Sequence, residues 1–208
     1  MMKVAIAEAL VKGHSYTKYR KIVSDLLLEG KTTGDIQSEE MTHYAELNEA
    51  RMNRLDKKMV ISPENIQRLL GLKRDYIWLV ISEGWCGDAA QLLPIFNKMA
   101  LLTPKLELKV VFRDENVPLI DQFLTNGSRS IPKLIIIDKE INTVCANWGP
   151  RPTGAAKLIT SYLQQYGAID ETLKKELQLW YLHDKGISTQ DELMNLMLEV
   201  CQRTPKMN

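Results

Sequence analysis

The chain has 208 residues, 45% of them hydrophobic, enough for one domain with appendages around a substantial core. Its 27 basic and 26 acidic residues leave a net charge of +1, so the positive surplus that drives nonspecific binding to nucleic acid or to membranes is missing. Three widely spaced cysteines, Cys86, Cys145 and Cys201, are too few and odd in number for a disulfide framework and suggest a reducing, cytoplasmic setting.

MMKVAIAEALVKG carries a short apolar stretch broken by Glu8 and makes a poor signal peptide, and no later run approaches the roughly 18 apolar residues of a membrane span. From Ser15 to Met59 the periodicity is helical. Tyr19, Ile22, Val23 and Leu26 form one stripe, the link 30–37 (GKTTGDIQ) breaks it, and Tyr44, Leu47, Arg51, Leu55 and Met59 form a second, which together predict a helical hairpin. Ser62 followed by Pro63 reads as an N-cap with proline at the first helical position, opening a short helix that ends near Gly71.

At Tyr76 the period changes. YIWLVIS is a continuous β-branched and aromatic run, as expected of a central strand covered on both faces. After the turn EGWCGD, residues 88–102 are helical with Pro94 inside, 106–112 (LELKVVF) is a second strand, and 117–125 a short helix. The loop 126–130 (NGSRS) leads to Ile131-Pro132 and the strand KLIIID, which pairs across a short turn with INTVCANW. The loop GPRP precedes a helix through Tyr166, and two more helices follow, about 170–183 and 189–202, separated by Gly186. The order predicts an α/β fold, β-α-β-α-β-β-α, around a mixed four-stranded sheet. Its first two strands are parallel and its last two antiparallel. Residues 1–72 are expected as a helical extension packed on the core, 73–167 as the core domain and 168–208 as a C-terminal helical extension.

Over 73–167 the sequence resembles the thioredoxin superfamily. Trp85-Cys86-Gly87 follows the first core strand and opens a helix, Pro94 lies eight residues after the cysteine, and Ile131-Pro132, preceded by Arg129, stands before the third strand where the superfamily has its cis-proline. The longer run EGWCGDAAQ, with WGPRP downstream, is similar to a bacterial thioredoxin-like subgroup with a Trp-Cys-Gly-Asp motif. The resemblance implies a thioredoxin-like fold, Cys86 as the reacting residue, and a substrate groove shaped by Trp85, Gly87, Asp88, Arg129, Ile131 and Pro132.

The departures narrow the chemistry. Alanine stands at position 89 where the second, resolving cysteine belongs, so no local disulfide can form. The buried acid that the superfamily carries six residues before the first cysteine is Val80 here. A helix N-terminus stabilises a thiolate by about 0.3–2 kcal/mol. A carboxylate such as Asp88, at ~6 Å in an effective dielectric of ~20, opposes it by up to about 3 kcal/mol, and the balance favours the thiolate only where Arg129 reaches the sulfur. Asp88 has a plainer reading as a first-turn residue satisfying backbone N–H groups.

Two functions compete. In the first, Cys86 attacks a disulfide of a protein or peptide partner to form a mixed disulfide, or an oxidant to form a sulfenic acid, and an external thiol such as a low-molecular-weight one resolves either. In the second, a redox-inactive module holds a peptide or protein in the Trp85/Ile131-Pro132 groove. Cys145, on the last strand, and Cys201, half-buried on the final helix, read as packing residues. His14, His43 and His183 share no ligand spacing with a cysteine, so neither metal nor cofactor is expected. Asn48, Arg51, Arg54, Lys57 and Lys58 read as a solvated face, with the sharper alternative that Arg51 or Arg54 leans over the Cys86 loop. Arg151 is available to an anionic ligand, and the methionine-rich run ELMNLMLEV is an apolar packing or subunit face.

Overall fold

The computed structural model describes residues 2–203. Its sheet has the order β2-β1-β3-β4, from β1 (Tyr76–Ser82), β2 (Leu106–Phe112), β3 (Lys133–Asp138) and β4 (Thr143–Trp148). The helix between β1 and β2 returns the chain parallel, Tyr76 facing Leu106 and Ser82 facing Phe112. β3 runs antiparallel to β1 and β4 antiparallel to β3. Trp78, Leu79, Val80 and Ile81 are fully buried, which is why β1 shows no alternation of polar and apolar residues. Cys145 occupies a bulge in β4, between the pairs Ile136–Ala146 and Ile137–Val144.

The helices are α1 (Met2–Lys12), α2 (Tyr16–Leu28), α3 (Glu39–Lys58), α4 (Pro63–Leu70), α5 (Gly87–Leu101), α6 (Val117–Ile120), α7 (Thr153–Tyr166), α8 (Glu171–Asp184) and α9 (Ile187–Arg203). Serine caps open three of them: Ser15 accepts from the Lys18 N–H, Ser38 from Met41 and Ser62 from Asn65, each at 3.2 Å. α5 continues through Pro94.

Within the helical extension expected over residues 1–72, the first stretch forms a helix, α1, burying Ala5, Ile6 and Ala9. In the α1–α2 junction, His14 exchanges both backbone hydrogen bonds with Val110 (2.9 and 2.8 Å), covering the outer edge of β2. Three expectations from the sequence are corrected. The helix expected over 117–125 stops at Ile120: Asn126 and Gly127 take positive φ (50° and 77°), and Thr125 and Ser128 close a two-residue turn on each other. β4 starts at Thr143 instead of Ile141, because Asn142 is left-handed (φ 48°). Finally, α3 is rotated by about one residue relative to its expected stripe. Its buried residues are Ala45, Asn48 and Met52, since small Ala45 allows close packing and Asn48 has a polar partner waiting below. Tyr44, Leu47 and Arg51 are thereby turned off the core.

The two extensions are tied to the core and to each other. Arg20 of α2 pairs with Glu49 (2.9 Å) and Asp56 of α3, Asn65 of α4 donates to Asp191 of α9 (2.7 Å), and Glu192 of α9 accepts from the Trp148 indole (2.9 Å) and the Thr153 N–H (2.7 Å). No helix among the described residues is long and apolar enough to cross a membrane.

Candidate functional site

The loop 83–86 joins the buried strand β1 to α5 and is clamped from the N-terminal extension. Asn48 of α3 donates to the Gly84 carbonyl at 3.0 Å, and the Thr33 hydroxyl accepts the Gly84 N–H at 2.7 Å. Cys86 is the N-cap of α5: the Ala89 N–H points to its sulfur at 3.5 Å. The thiol in turn donates to the Ile131 carbonyl at 3.3 Å. Cys86 is only 7% exposed. Burial, and next the Asp88 charge, push its pKa up to about 12, against the smaller opposing pull of the Ala89 N–H and of Arg151.

Asp88, itself 6% exposed, is held by Arg151 at 2.6 Å and by the Tyr181 hydroxyl of α8 at 2.8 Å. Burial still raises its carboxyl above the usual range, against the pull of Arg151 and Tyr181. Gln91 of α5 donates to Gln178 of α8 at 2.6 Å, so the C-terminal extension forms one wall of the site. α3 forms the facing wall. Arg51 donates to the Asn48 side chain at 2.7 Å and reaches to 3.9 Å from where a Gly87 side chain would begin. Between these walls a cleft of about 1100 Å³ opens over Cys86.

Of the residues singled out from sequence, Trp85, Cys86, Gly87, Asp88, Arg129 and Ile131 line this cleft, as do Arg51, Arg54 and Arg151. The Trp85 ring carries the Arg113 guanidinium 4.9 Å from its centre. Pro132 is buried behind Ile131, in a cis peptide bond, and Gly149 (φ 111°) packs so closely that a Cβ there would lie 2.4 Å from the Pro132 carbonyl oxygen. Arg129 does not serve the sulfur. Its guanidinium is held in two hydrogen bonds by Asp121 (2.6 and 2.9 Å), and the cation acting on Cys86 is Arg151. Cys145 and Cys201 lie away from the cleft, Cys201 against the Tyr76 hydroxyl at 3.4 Å. Among the described residues no group of His, Cys, Asp and Glu side chains is arranged to hold a metal ion.

Sequence reasoning missed Tyr181, Gln178 and the structural use of Asn48, and it missed Glu83. The carboxyl of Glu83 is fully buried three residues before Cys86, accepting the Asp114 N–H at 3.0 Å, and burial lifts its pKa to about 7. An acid at the end of a central, largely apolar strand, with one residue between it and Trp-Cys-Gly, was the available signal. With the folded pKa above the unfolded one, the chain loses stability as pH rises from the unfolded carboxyl range through about 7. Glu83→Gln is therefore expected to unfold about 2 kcal/mol later than wild type near pH 8 and no differently near pH 4, in urea titrations at the two pH values. Equal pH dependence of the two proteins would refute the assignment.

Residues 34–165 match the family described as Thioredoxin, a span that includes α3 and stops before α8. Two solved structures share the fold. A protein of unknown function from Pseudomonas aeruginosa is 17% identical with a TM-score of 0.55, covering 93% of each chain. An HIV epitope scaffold is 16% identical with a TM-score of 0.54, covering 92% of this chain and 100% of its own. No curated protein matches the sequence.

Proposed function

The chain belongs to the thioredoxin family, and on that premise we propose that it is a peptide- or protein-binding member in which the groove is kept and the dithiol cycle is given up. The observation that carries this reading is the open cleft over Cys86, walled by Trp85 and Ile131, while the thiol itself is buried and donates its proton to the Ile131 carbonyl. The Ile131 N–H has no acceptor among the described residues, so an extended segment laid beside it gains a backbone hydrogen bond, as at a sheet edge. Trp85 supplies a rigid aromatic contact of the kind that dominates binding energy. Ala89 leaves no resolving thiol beside Cys86.

A bead-displayed library of random hexapeptides tests this. Cys86→Ala is expected to retain the same peptides as wild type, and Trp85→Ala to bind them about 10- to 100-fold more weakly. Loss of binding in Cys86→Ala, or none in Trp85→Ala, would overturn the reading.

One observation favours monothiol exchange instead: Cys86 caps α5, and the Ala89 N–H is aimed at its sulfur. In that reading the thiolate attacks a disulfide of a protein or peptide partner, one sulfur leaves as a thiol, and a low-molecular-weight thiol releases the enzyme. The rate at which Cys86 alkylates separates the two.

A further inference from the structure

Among the charged residues lining the cleft, seven are basic and two acidic, on a chain whose overall charge is nearly balanced. Both acids are already engaged, Asp88 by Arg151 and Glu171 by Lys174 (2.7 Å). Three of the arginines are neutralised as well: Arg113 by Asp114 (2.7 Å), Arg129 by Asp121 and Arg151 by Asp88. Arg51 and Arg54 differ. Neither forms an ion pair among the described residues. Arg51 is half-buried with Asn48 as its hydrogen-bond partner, and burial together with the like charge of Arg54 weakens its hold on its proton. Two adjacent guanidiniums with no carboxylate between them are held at a cost that an anionic ligand removes.

The facing wall is mixed. Ile159 of α7 and Leu173, Leu177 and Leu182 of α8 give it an apolar stripe, with Ile169 61% and Leu182 49% exposed, beside Lys175 and the Lys174–Glu171 pair. An extended strand directs successive side chains to opposite sides. A strand lying along Ile131 therefore sends alternate residues to the α3 wall and the remainder to the α7–α8 wall.

Resting on the binding reading above, we propose that the cleft selects an extended acidic peptide segment of a partner protein, its acidic side chains meeting Arg51 and Arg54 and its intervening apolar side chains meeting α7 and α8. The cleft's about 1100 Å³ is above the 300–1,000 Å³ usual for a small-molecule pocket, which fits a chain segment. The rotation of α3 that buries Asn48 is what turns the Arg51 face into the cleft.

The test is the hexapeptide library screened against wild type and the Arg51→Gln/Arg54→Gln double variant, with circular dichroism melting to verify that both are folded. Arg54 is exposed and Arg51 bonds only to a side chain, so the fold is expected to survive. Peptides retained by wild type are expected to carry Asp or Glu at alternating positions, at least about threefold above the input frequency, with the bias weakened when salt is raised from about 50 mM to about 500 mM. In the double variant the acidic bias is expected to fall to the input level while the apolar preference persists. Retained peptides without acidic bias, or a bias unchanged in the double variant, overturn the selectivity and leave the binding reading standing. If wild type retains nothing beyond Trp85→Ala, the binding reading falls and the selectivity with it.

Discussion

Iodoacetamide is expected to alkylate native Cys86 at least about a hundredfold more slowly than a free cysteine near pH 7.5. A free thiol with a pKa of about 8.5 is about one-tenth ionised there, whereas a thiol pushed to about 12 holds several thousandfold less thiolate. The more basic thiolate is also the better nucleophile, and over this pKa gap a Brønsted slope of about 0.4–0.5 returns a factor of roughly 30. About two orders of magnitude of retardation remain, and the 7% exposure of Cys86 adds to them. The rate should climb about tenfold per pH unit beyond pH 10, where a free cysteine has already levelled off. Peptide mass mapping distinguishes Cys86 from Cys145 and Cys201, and guanidinium should abolish the protection. Alkylation at the free-cysteine rate in the native protein would sink the buried-thiol account and transfer the case to monothiol exchange.

The fold was legible because its signals are local and redundant. YIWLVIS changes the hydrophobic period at one residue, Ser62-Pro63 announces a helix start, and the turn between KLIIID and TVCANW dictates antiparallel pairing. The site was legible where motifs carry it, in Trp85, Cys86 and Gly87 on one loop and Ile131 and Pro132 before β3, and Arg51, Arg54 and Arg151 were legible only as available cations. The groups that hold the loop and Asp88 arrive from far away in sequence: Tyr181 lies 93 residues from Asp88, and Asn48 lies 36 from Gly84. Helical periodicity gives a stripe to within about one residue, and on α3 that single residue separates an apolar face from an arginine-bearing wall. Arg129 was the natural cation for Cys86 by motif position. Asp121, in the turn after α6, captures it, and that pairing depends on α6 ending at Ile120, which the apolar pattern did not reveal.

Arg151→Met is expected to cost about 3 kcal/mol of stability near pH 7, because it strips a buried carboxylate of its charge partner while keeping the side chain's apolar length. The magnitude is taken from the lower end of the range for broken buried pairs, since the Arg151 side chain keeps 30% exposure. The pH dependence identifies the cause. Burial already lifts the Asp88 carboxyl, so the folded protein takes up a proton there at higher pH than the unfolded chain, and ionisation of Asp88 weakens the fold as pH rises through that range. Without Arg151 the carboxyl rises further. The deficit of Arg151→Met should then be largest near pH 8 and shrink on acidification, and Asp88→Asn in the same chain should recover most of it. Asp88→Asn alone removes the second-largest influence raising the Cys86 pKa and leaves Arg151 unpaired beside the sulfur, so it is expected to speed alkylation of Cys86 by about tenfold. An Arg151→Met deficit that ignores pH would show that the pair does not set the stability of the site, and an Asp88→Asn variant whose Cys86 reacts no faster would show that it does not set the reactivity.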